Sequence, residues 1–243
     1  MDYKFTEKLP ENRLLWDKCL ISSDGVYAIA LGENQLYISN NSGDTWVRPA
    51  DTLIFNFIDY IAIDKSGQYM FAASIGITEE NGKLYLSVNY GVNWTEITTW
   101  PGYEDGKIIE GIGINSNGTE IFICYHTDVD YPNGETFYYS SVNLGVDWVE
   151  LTVPSVISEG NAQAWFFANE DSTIIHIYYE YGVFRSDNHG TDWTAIYVAS
   201  SMGKEGMFSV SEDGVTMLIN DYNILYLSVN SGADWVELPD LLL

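Results

Sequence analysis

The stretch SVNSGADW (Ser228 to Trp235) near the end of the chain decides the fold, because the sequence repeats it five times. The other copies are SNNSGDTW (Ser39 to Trp46), SVNYGVNW (Ser87 to Trp94), SVNLGVDW (Ser141 to Trp148) and SDNHGTDW (Ser186 to Trp193). All five share the pattern Ser-x-Asn-x-Gly-x-x-Trp, which we call the box. Agreement at four fixed positions marks an internal repeat, a feature of propellers, solenoids and arrays.

Each box lies between two segments with strand character. An apolar run such as LYLS leads into the Ser, and a short alternating segment such as WVEL begins at the Trp. Gly accepts the positive φ of a tight turn, and Ser and Asn side chains satisfy backbone groups there. Each box is therefore predicted to be a β-hairpin turn with a structural role. The residues concerned are Ser39, Asn41, Gly43, Trp46, Ser87, Asn89, Gly91, Trp94, Ser141, Asn143, Gly145, Trp148, Ser186, Asn188, Gly190, Trp193, Ser228, Asn230, Gly232 and Trp235.

A second turn signal precedes each box. The segments are SSDG ending at Gly25, DKSG at Gly67, NSNG at Gly118, NEDS at Ser172 and SEDG at Gly214. Apolar strand-like runs flank every one of them, so one repeat holds four antiparallel strands. Five such units predict an all-β fold, a five-bladed β-propeller of four-stranded blades in a single domain, 1–243. The blades are expected at approximately 14–50, 55–100, 107–153, 161–197 and 203–240.

The box resembles the Asp-box, or BNR, repeat of sialidase-like β-propellers, whose consensus is Ser-x-Asp-x-Gly-x-Thr-Trp. The resemblance covers nearly the whole chain and implies that the box is structural. The chain departs from the consensus at the third position, where Asn replaces Asp in all five copies. A sialidase also needs an arginine trio to grip the substrate carboxylate. The arginines of this chain are Arg13, Arg48 and Arg185, and the last two stand beside a box, in outer strands away from the channel. The FRIP-type motif is also missing, so sialidase activity is not expected.

Composition excludes several partners. The chain has 35 acidic and 10 basic residues, a formal net charge of -25, which opposes binding to nucleic acid and anionic lipid. No apolar run could span a bilayer, and the N-terminus lacks the apolar core of a signal peptide. The chain is thus expected to be cytosolic, already processed, or exported in an assembly, so an extracellular or virion-associated location stays open. The oligomeric state is also left open.

The residues that often bind metals or form disulfides are few. Cys19 and Cys124 lie in apolar runs and are expected to be two buried thiols rather than a disulfide. His126, His176 and His189 fall in different units without metal-ligand spacing. We therefore predict no metal site and no cofactor.

Loop length points to the functional face. The second and third units carry extra residues between their second and third strands, on the face opposite the boxes, and irregular connections between units such as TTWPGYEDGK (Thr98 to Lys107) lie beside them. Variable loops on a rigid scaffold commonly bind ligands. Aromatic rings there could stack on sugars and carboxylates could accept hydroxyl hydrogen bonds, although the rings could equally cover loops. The candidate ligand-binding residues are Trp100, Tyr103, Tyr131, Asp128, Asp130 and Trp165.

Three acids share one repeat position. Asp17, Asp59 and Glu110 each precede the last residue of the first turn by eight positions, near the entry of the innermost strand. Glycosidases use two carboxyl groups, one of them with a raised pKa. The three acids are therefore the catalytic candidates if the chain is an enzyme, and solvated strand-end carboxylates otherwise.

These observations favour a non-enzymatic binding module that recognises a glycan or protein partner through the loops opposite the boxes. Two alternatives stay open. One is a glycoside hydrolase that uses the three shared acids. The other is a structural subunit of a larger assembly such as a virus particle.

Overall fold

The computed structural model of the chain is a five-bladed, all-β propeller, as the repeats predict. It describes residues 16–33, 35–49, 58–75, 82–103, 107–127, 135–158, 164–179, 182–198, 208–221 and 224–238. Each blade is an antiparallel sheet whose strands pair in chain order. The first strands of blades 1 to 4 contact one another in succession, which places them innermost around the axis.

The described strands fall into blades as follows. Blade 1 holds β1 (Trp16–Ile21), β2 (Ala28–Gly32) and β3 (Gln35–Ser39). Blade 2 holds β4 (Tyr60–Ile63), β5 (Met70–Ser74), β6 (Lys83–Ser87) and β7 (Thr95–Ile97). Blade 3 holds β8 (Ile108–Ile114), β9 (Ile121–His126), β10 (Thr136–Ser141) and β11 (Val149–Glu150), followed by the helical turn α1 (Ser155–Ser158). Blade 4 holds β12 (Ala164–Ala168), β13 (Ile175–Tyr179), β14 (Gly182–Ser186) and β15 (Thr194–Val198). Blade 5 holds β16 (Phe208–Val210), β17 (Met217–Asp221), β18 (Ile224–Ser228) and β19 (Val236–Glu237).

Blade 1 departs from the four-stranded expectation. Its sheet has three strands, and only an isolated bridge between Val47 and Ile38 marks the fourth. The sequence after Val47 reads Arg48-Pro49, and Pro49 has no backbone N–H to donate to a ladder. The missing donor explains why pairing does not extend beyond the bridge.

The core lies between the blades. Four clusters of buried apolar side chains each join two neighbouring blades, from blades 1 and 2 through to blades 4 and 5. Phe71 of blade 2 and Ile123 of blade 3, for example, are fully buried in one cluster. Because each blade is apolar on both faces, burial between blades is what stabilises the ring.

Cys19 corrects one expectation from the sequence. Both cysteines are free, but only Cys124 is buried, and Cys19 is exposed. Strand β1 alternates, so Lys18 and Leu20 share one face while Asp17 and Cys19 point to the other, more exposed one. The apolar run around Cys19 therefore misled the burial prediction.

Glycine allows the closest contact between blades. A Cβ on Gly111 in β8 would stand 1.8 Å from the carbonyl oxygen of Ala164 in β12. The two strands come close enough for a parallel bridge between Asn115 and Ala168. A side chain at this position would push blades 3 and 4 apart, so only Gly fits.

All five boxes adopt the same hydrogen-bonded turn. In each, the Ser hydroxyl accepts the backbone N–H of the box Gly at 2.8–2.9 Å. The Asn side-chain oxygen accepts the N–H of the residue before the Trp at 2.9 Å. The residue before the Gly has a positive φ in every copy, as the Gly itself does. Two successive left-handed residues are costly, and the side-chain bonds hold them in place.

Asn at the third box position has a physical reason. In three boxes the residue before the Trp is an Asp, and the Asn amide N–H donates to its carboxylate at 2.8–2.9 Å. These pairs are Asn143 with Asp147, Asn188 with Asp192, and Asn230 with Asp234. Two carboxylates in those places would repel each other. In these three boxes the negative charge therefore stands at the seventh position of the box and not at the third.

We expect Asn143→Asp to destabilise the fold by about 0.5–1.5 kcal/mol, because it replaces a charge-assisted hydrogen bond with repulsion at an exposed site. Denaturant unfolding would measure the change. Asn89→Asp is the matched control, since Asn93 rather than Asp precedes the Trp in that box. The double variant Asn143→Asp with Asp147→Thr should recover most of the lost stability. If it does not, Asn143 is not explained by its hydrogen bond to Asp147.

Candidate functional site

The two faces of the propeller differ in what they carry. The turns between first and second strands lie with the boxes on one face, which we call the box face, and every such turn is described. The connections between second and third strands, and those between one blade and the next, lie on the opposite face, which we call the loop face. The described part of the loop face consists of strand ends and short loop segments.

On the box face, the turns between first and second strands meet across the axis. The Lys65 amine contacts the Glu170 carboxylate at 2.5 Å, which joins blades 2 and 4. The Ser116 hydroxyl donates to Glu212 at 2.6 Å, which joins blades 3 and 5. The backbone N–H of Ser23 also donates to the Lys65 carbonyl, and the Lys65 N–H donates to the Ser116 carbonyl. The turn tips therefore pack against one another and narrow the axial opening on this face.

A cavity of about 110 Å³ lies between blades 4 and 5 near these turns. His176, Asn169 and Glu212 contribute to its lining, together with the Phe167 side chain. The guanidinium of Arg185 lies next to the imidazole, 3.5 Å from Nε2 of His176, and donates to the Gly214 carbonyl of blade 5. Arg185 also pairs with Asp187, so its charge is balanced. His176 and Arg185 are direct cross-strand partners in blade 4, and the sequence pattern did not single out this pair.

His176 is only 2% exposed, and burial, with Arg185 adding to it, lowers its pKa from 6.5 to about 4. The neutral form is favoured in the folded state, so stability is complete above pH 6.5 and is lost as the pH falls towards 4. The cost should reach about 2 kcal/mol near pH 5.

We expect His176→Asn to lose less stability than the wild type between pH 7 and pH 5. Thermal unfolding checks this against His189→Asn, whose side chain is exposed. An unchanged pH profile in His176→Asn would contradict the prediction.

Trp100 does not present its ring to a ligand. It is 2% exposed and packs edge-on against Tyr103 and Tyr125 within the core between blades 2 and 3. Tyr103 is half-buried above it, and its hydroxyl donates to Glu96 at 3.2 Å. The burial of Trp100 corrects its place among the ligand-binding candidates, because the loop that carries it folds inwards.

We expect Trp100→Ala to destabilise the fold by about 3–5 kcal/mol, the usual cost of truncating a buried aromatic side chain. Urea unfolding would measure the loss. Tyr103→Phe, which keeps the ring and removes only the half-buried hydroxyl, should cost much less. A loss below about 1 kcal/mol for Trp100→Ala would show that the ring is dispensable for the core.

Three other loop candidates, Asp128, Asp130 and Tyr131, lie outside the described residues. Their roles stay predictions. Within the described residues, no three His, Cys, Asp or Glu side chains come together as metal ligands. None of the described helices is long and apolar enough to cross a membrane.

The three shared acids have three different environments. Asp17 and Glu110 stand at β-bulges of β1 and β8, where the register shifts by one residue. Asp17 is exposed, whereas Glu110 is only 4% exposed and lies beside Cys124 and Tyr138. Burial and, less strongly, the charge of Glu110 raise the pKa values of Cys124 and Tyr138. Asp59 is half-buried and accepts the Ile75 N–H at 2.9 Å, and burial raises its pKa.

A cluster of aromatic rings and one carboxylate occupies the loop-face end of the contact between blades 4 and 5. Trp165 is half-buried in β12, and its ring lies 5.4 Å from that of Tyr178. Tyr197 at the end of β15 donates its hydroxyl to Oδ2 of Asp221 at 2.9 Å. The other carboxylate oxygen, Oδ1, is buried and has no hydrogen-bond partner in the described part of the chain. Only Trp165 of this cluster was foreseen, since Tyr197 and Asp221 stand in different repeats.

The carboxylate changes the acidity of its neighbours. Burial and then the Asp221 charge raise the pKa of Tyr178 to about 12. Burial, the hydrogen bond to Asp221 and its charge also raise the pKa of Tyr197. Both hydroxyls thus stay protonated near neutral pH. At this end of blades 4 and 5 the described residues thus present flat aromatic rings and one carboxylate oxygen without a donor.

Comparison with known proteins supports the fold. No protein-family model and no curated protein matches the chain. A TolB candidate from Agrobacterium tumefaciens is similar, with a TM-score of 0.64 at 15% identity over 92% of this chain and 80% of that one. A chain of a nidogen–laminin complex has a TM-score of 0.65 at 8% identity, over 92% and 79%. An auxiliary nutrient binding protein from Bacteroides thetaiotaomicron has a TM-score of 0.59 at 11% identity, over 92% and 56%. At such low identity the likeness concerns the propeller fold alone.

Proposed function

We propose that this chain is a non-enzymatic binding module that recognises a hydroxyl-rich glycan through its loop face. The observation that carries the proposal is Oδ1 of Asp221, which is buried and has no hydrogen-bond partner among the described residues, while Oδ2 accepts the Tyr197 hydroxyl. A buried acceptor without a donor is costly in a free protein. A ligand hydroxyl that donates to it would remove that cost on binding.

The surrounding side chains suit a sugar. Trp165 and Tyr197 are half-buried, so part of each ring remains available for stacking. Aromatic faces bind the apolar faces of sugar rings, while a carboxylate accepts hydrogen bonds from sugar hydroxyls. A protein partner that inserts a Ser, Thr or Tyr hydroxyl would use the same acceptor. The aromatic stacking surface favours the glycan over the protein partner.

A glycoside hydrolase has less support. Hydrolysis needs two carboxyl groups that both reach the substrate. Glu110 is buried between blades 3 and 4, and Asp17 is exposed on the opposite face of its strand from Lys18. The raised pKa of Asp59 alone supplies only one of the two groups.

We also propose that the chain is a divergent member of the Asp-box propellers. The support is the five turns with a Ser hydroxyl on the Gly N–H, together with the Asn-to-Asp pairing that explains the departure from the consensus. In such a protein the boxes shape the blades and leave binding to the loop face.

A glycan array, followed by calorimetric titration of the best-bound glycan, would test the proposed site. We expect Asp221→Asn and Tyr197→Phe each to weaken binding roughly tenfold, or about 1.4 kcal/mol, because the first replaces the charged acceptor by a neutral amide and the second removes the hydroxyl that holds the carboxylate in place. Tyr139→Phe is the matched control, since its hydroxyl bonds to Glu150 on the outer strands of blade 3. Binding that is unchanged in both cluster variants would place the site elsewhere.

A further inference from the structure

The contact between blades 4 and 5 has the fewest buried apolar side chains. Among the described residues its cluster holds five of them, whereas the cluster between blades 2 and 3 holds fourteen. Strand β9 of blade 3 is buried at all six positions, but β17, its equivalent in blade 5, is buried only at Met217 and Ile219. Regions with little apolar burial open first, so blade 5 is the blade we expect to separate most easily.

A buried histidine stands next to a cation within this contact. His176 and Arg185 pair across β13 and β14, on the side of blade 4 that faces blade 5. The guanidinium lies 3.5 Å from Nε2 of His176 and donates to the Gly214 carbonyl of blade 5. A proton on the imidazole would therefore place two positive charges side by side.

The other charged groups around the pair do not surround the imidazole with negative charge. Strand β12 contributes no charged side chain, and Asp187, which follows β14, is already paired with Arg185. On blade 5 the turn between β16 and β17 carries Glu212, which lines the cavity beside His176, and Asp213. The Glu212 carboxylate accepts the Ser116 hydroxyl of blade 3 at 2.6 Å.

A row of packed rings connects this pair to Trp165. The ring of Phe208, on the innermost strand of blade 5, lies 5.8 Å from that of His176 and 5.9 Å from that of Tyr178. The Tyr178 ring in turn lies 5.4 Å from that of Trp165. A shift of Phe208 away from His176 would therefore also change the packing beneath Trp165.

The proposed binding cluster spans the same contact. Asp221 belongs to blade 5, whereas Tyr197 and Trp165 belong to blade 4. The hydrogen bond from the Tyr197 hydroxyl to Asp221, 2.9 Å long, thus crosses from one blade to the other. Opening of blade 5 would separate the carboxylate from the rings, so that only the closed state presents both to a ligand.

We propose that His176 is a pH switch for the loop-face site: in acid its protonated imidazole repels Arg185, blade 5 opens away from blade 4, and the ligand is released. This regulation rests on the proposed function. Burial, with Arg185 adding to it, lowers the pKa of His176 to about 4 in the closed state, against 6.5 for a solvated histidine. Protons therefore favour the open state, whose population relative to the closed state should rise roughly twentyfold between pH 7 and pH 5.

Hydrogen exchange followed by mass spectrometry tests the opening without a ligand. Peptides that cover β16 and β17 of blade 5 are compared with peptides that cover β5 and β6 of blade 2, after correction for the intrinsic exchange rate at each pH. In the wild type, protection in blade 5 should fall roughly twentyfold from pH 7 to pH 5, with a much smaller change in blade 2. Equal losses in both blades would mean global unfolding and would overturn the switch.

Two neutral variants identify the group that titrates. His176→Asn and His176→Gln should each abolish the acid-dependent loss of protection in blade 5, and Gln keeps a side-chain acceptor for the guanidinium. His189→Asn is the matched control, because it removes an exposed histidine and should retain the wild-type loss. A loss that persists in both His176 variants would assign the opening to another group and overturn the proposal.

The glycan array, read at pH 7 and at pH 5, connects the opening to binding. Glycans bound at pH 7 should be lost at pH 5 by the wild type and retained better by His176→Gln, since groups that titrate in both proteins affect both equally. Opening of blade 5 in acid without loss of bound glycan would overturn the regulation. If no glycan binds at pH 7, the proposed function fails together with the release of its ligand, while the exchange experiment still decides whether blade 5 opens.

Discussion

The structure depends on one hydrogen bond that occurs five times: the box Ser hydroxyl accepts the N–H of the Gly four residues later. It holds two successive left-handed residues and so fixes the direction in which the fourth strand leaves the turn. In three boxes the indole N–H of the Trp then donates to the carbonyl of the same Gly, which seats the ring over the turn. In the fifth, Trp235 bonds to Ile196 of blade 4 instead, so the same motif also joins neighbouring blades.

The sequence predicted what depends on local spacing. The boxes, the turns between first and second strands, and the number of blades all follow from patterns within eight or so residues, and the fold confirms the class and the blade number. The missing fourth strand of blade 1 could also have been predicted, since Pro49 stands in the sequence where that strand would run. The burial of Trp100 and the bond between Tyr197 and Asp221 could not, because each depends on how two blades are rotated against each other.

The sequence likewise predicts the total charge but not which charges form pairs. The composition indicates a strongly acidic protein, but it does not say which charges are paired. Lys65 and Arg185 have carboxylate partners, whereas Lys18 has none among the described residues. The difference follows from position, since Lys65 stands on a turn tip at the axis and Lys18 within a strand between blades.

The contacts across the axis have a consequence for folding. Lys65 and Glu170 are 105 residues apart in the chain, and Ser116 and Glu212 are 96 apart, yet each pair meets directly. A linear stack of repeats has contacts only between neighbours and can unfold from one end. Here the loss of one blade breaks contacts with blades that are not its neighbours. These contacts couple blades that a linear stack would leave independent, and their long separation along the chain predicts slower folding than in proteins with local contacts.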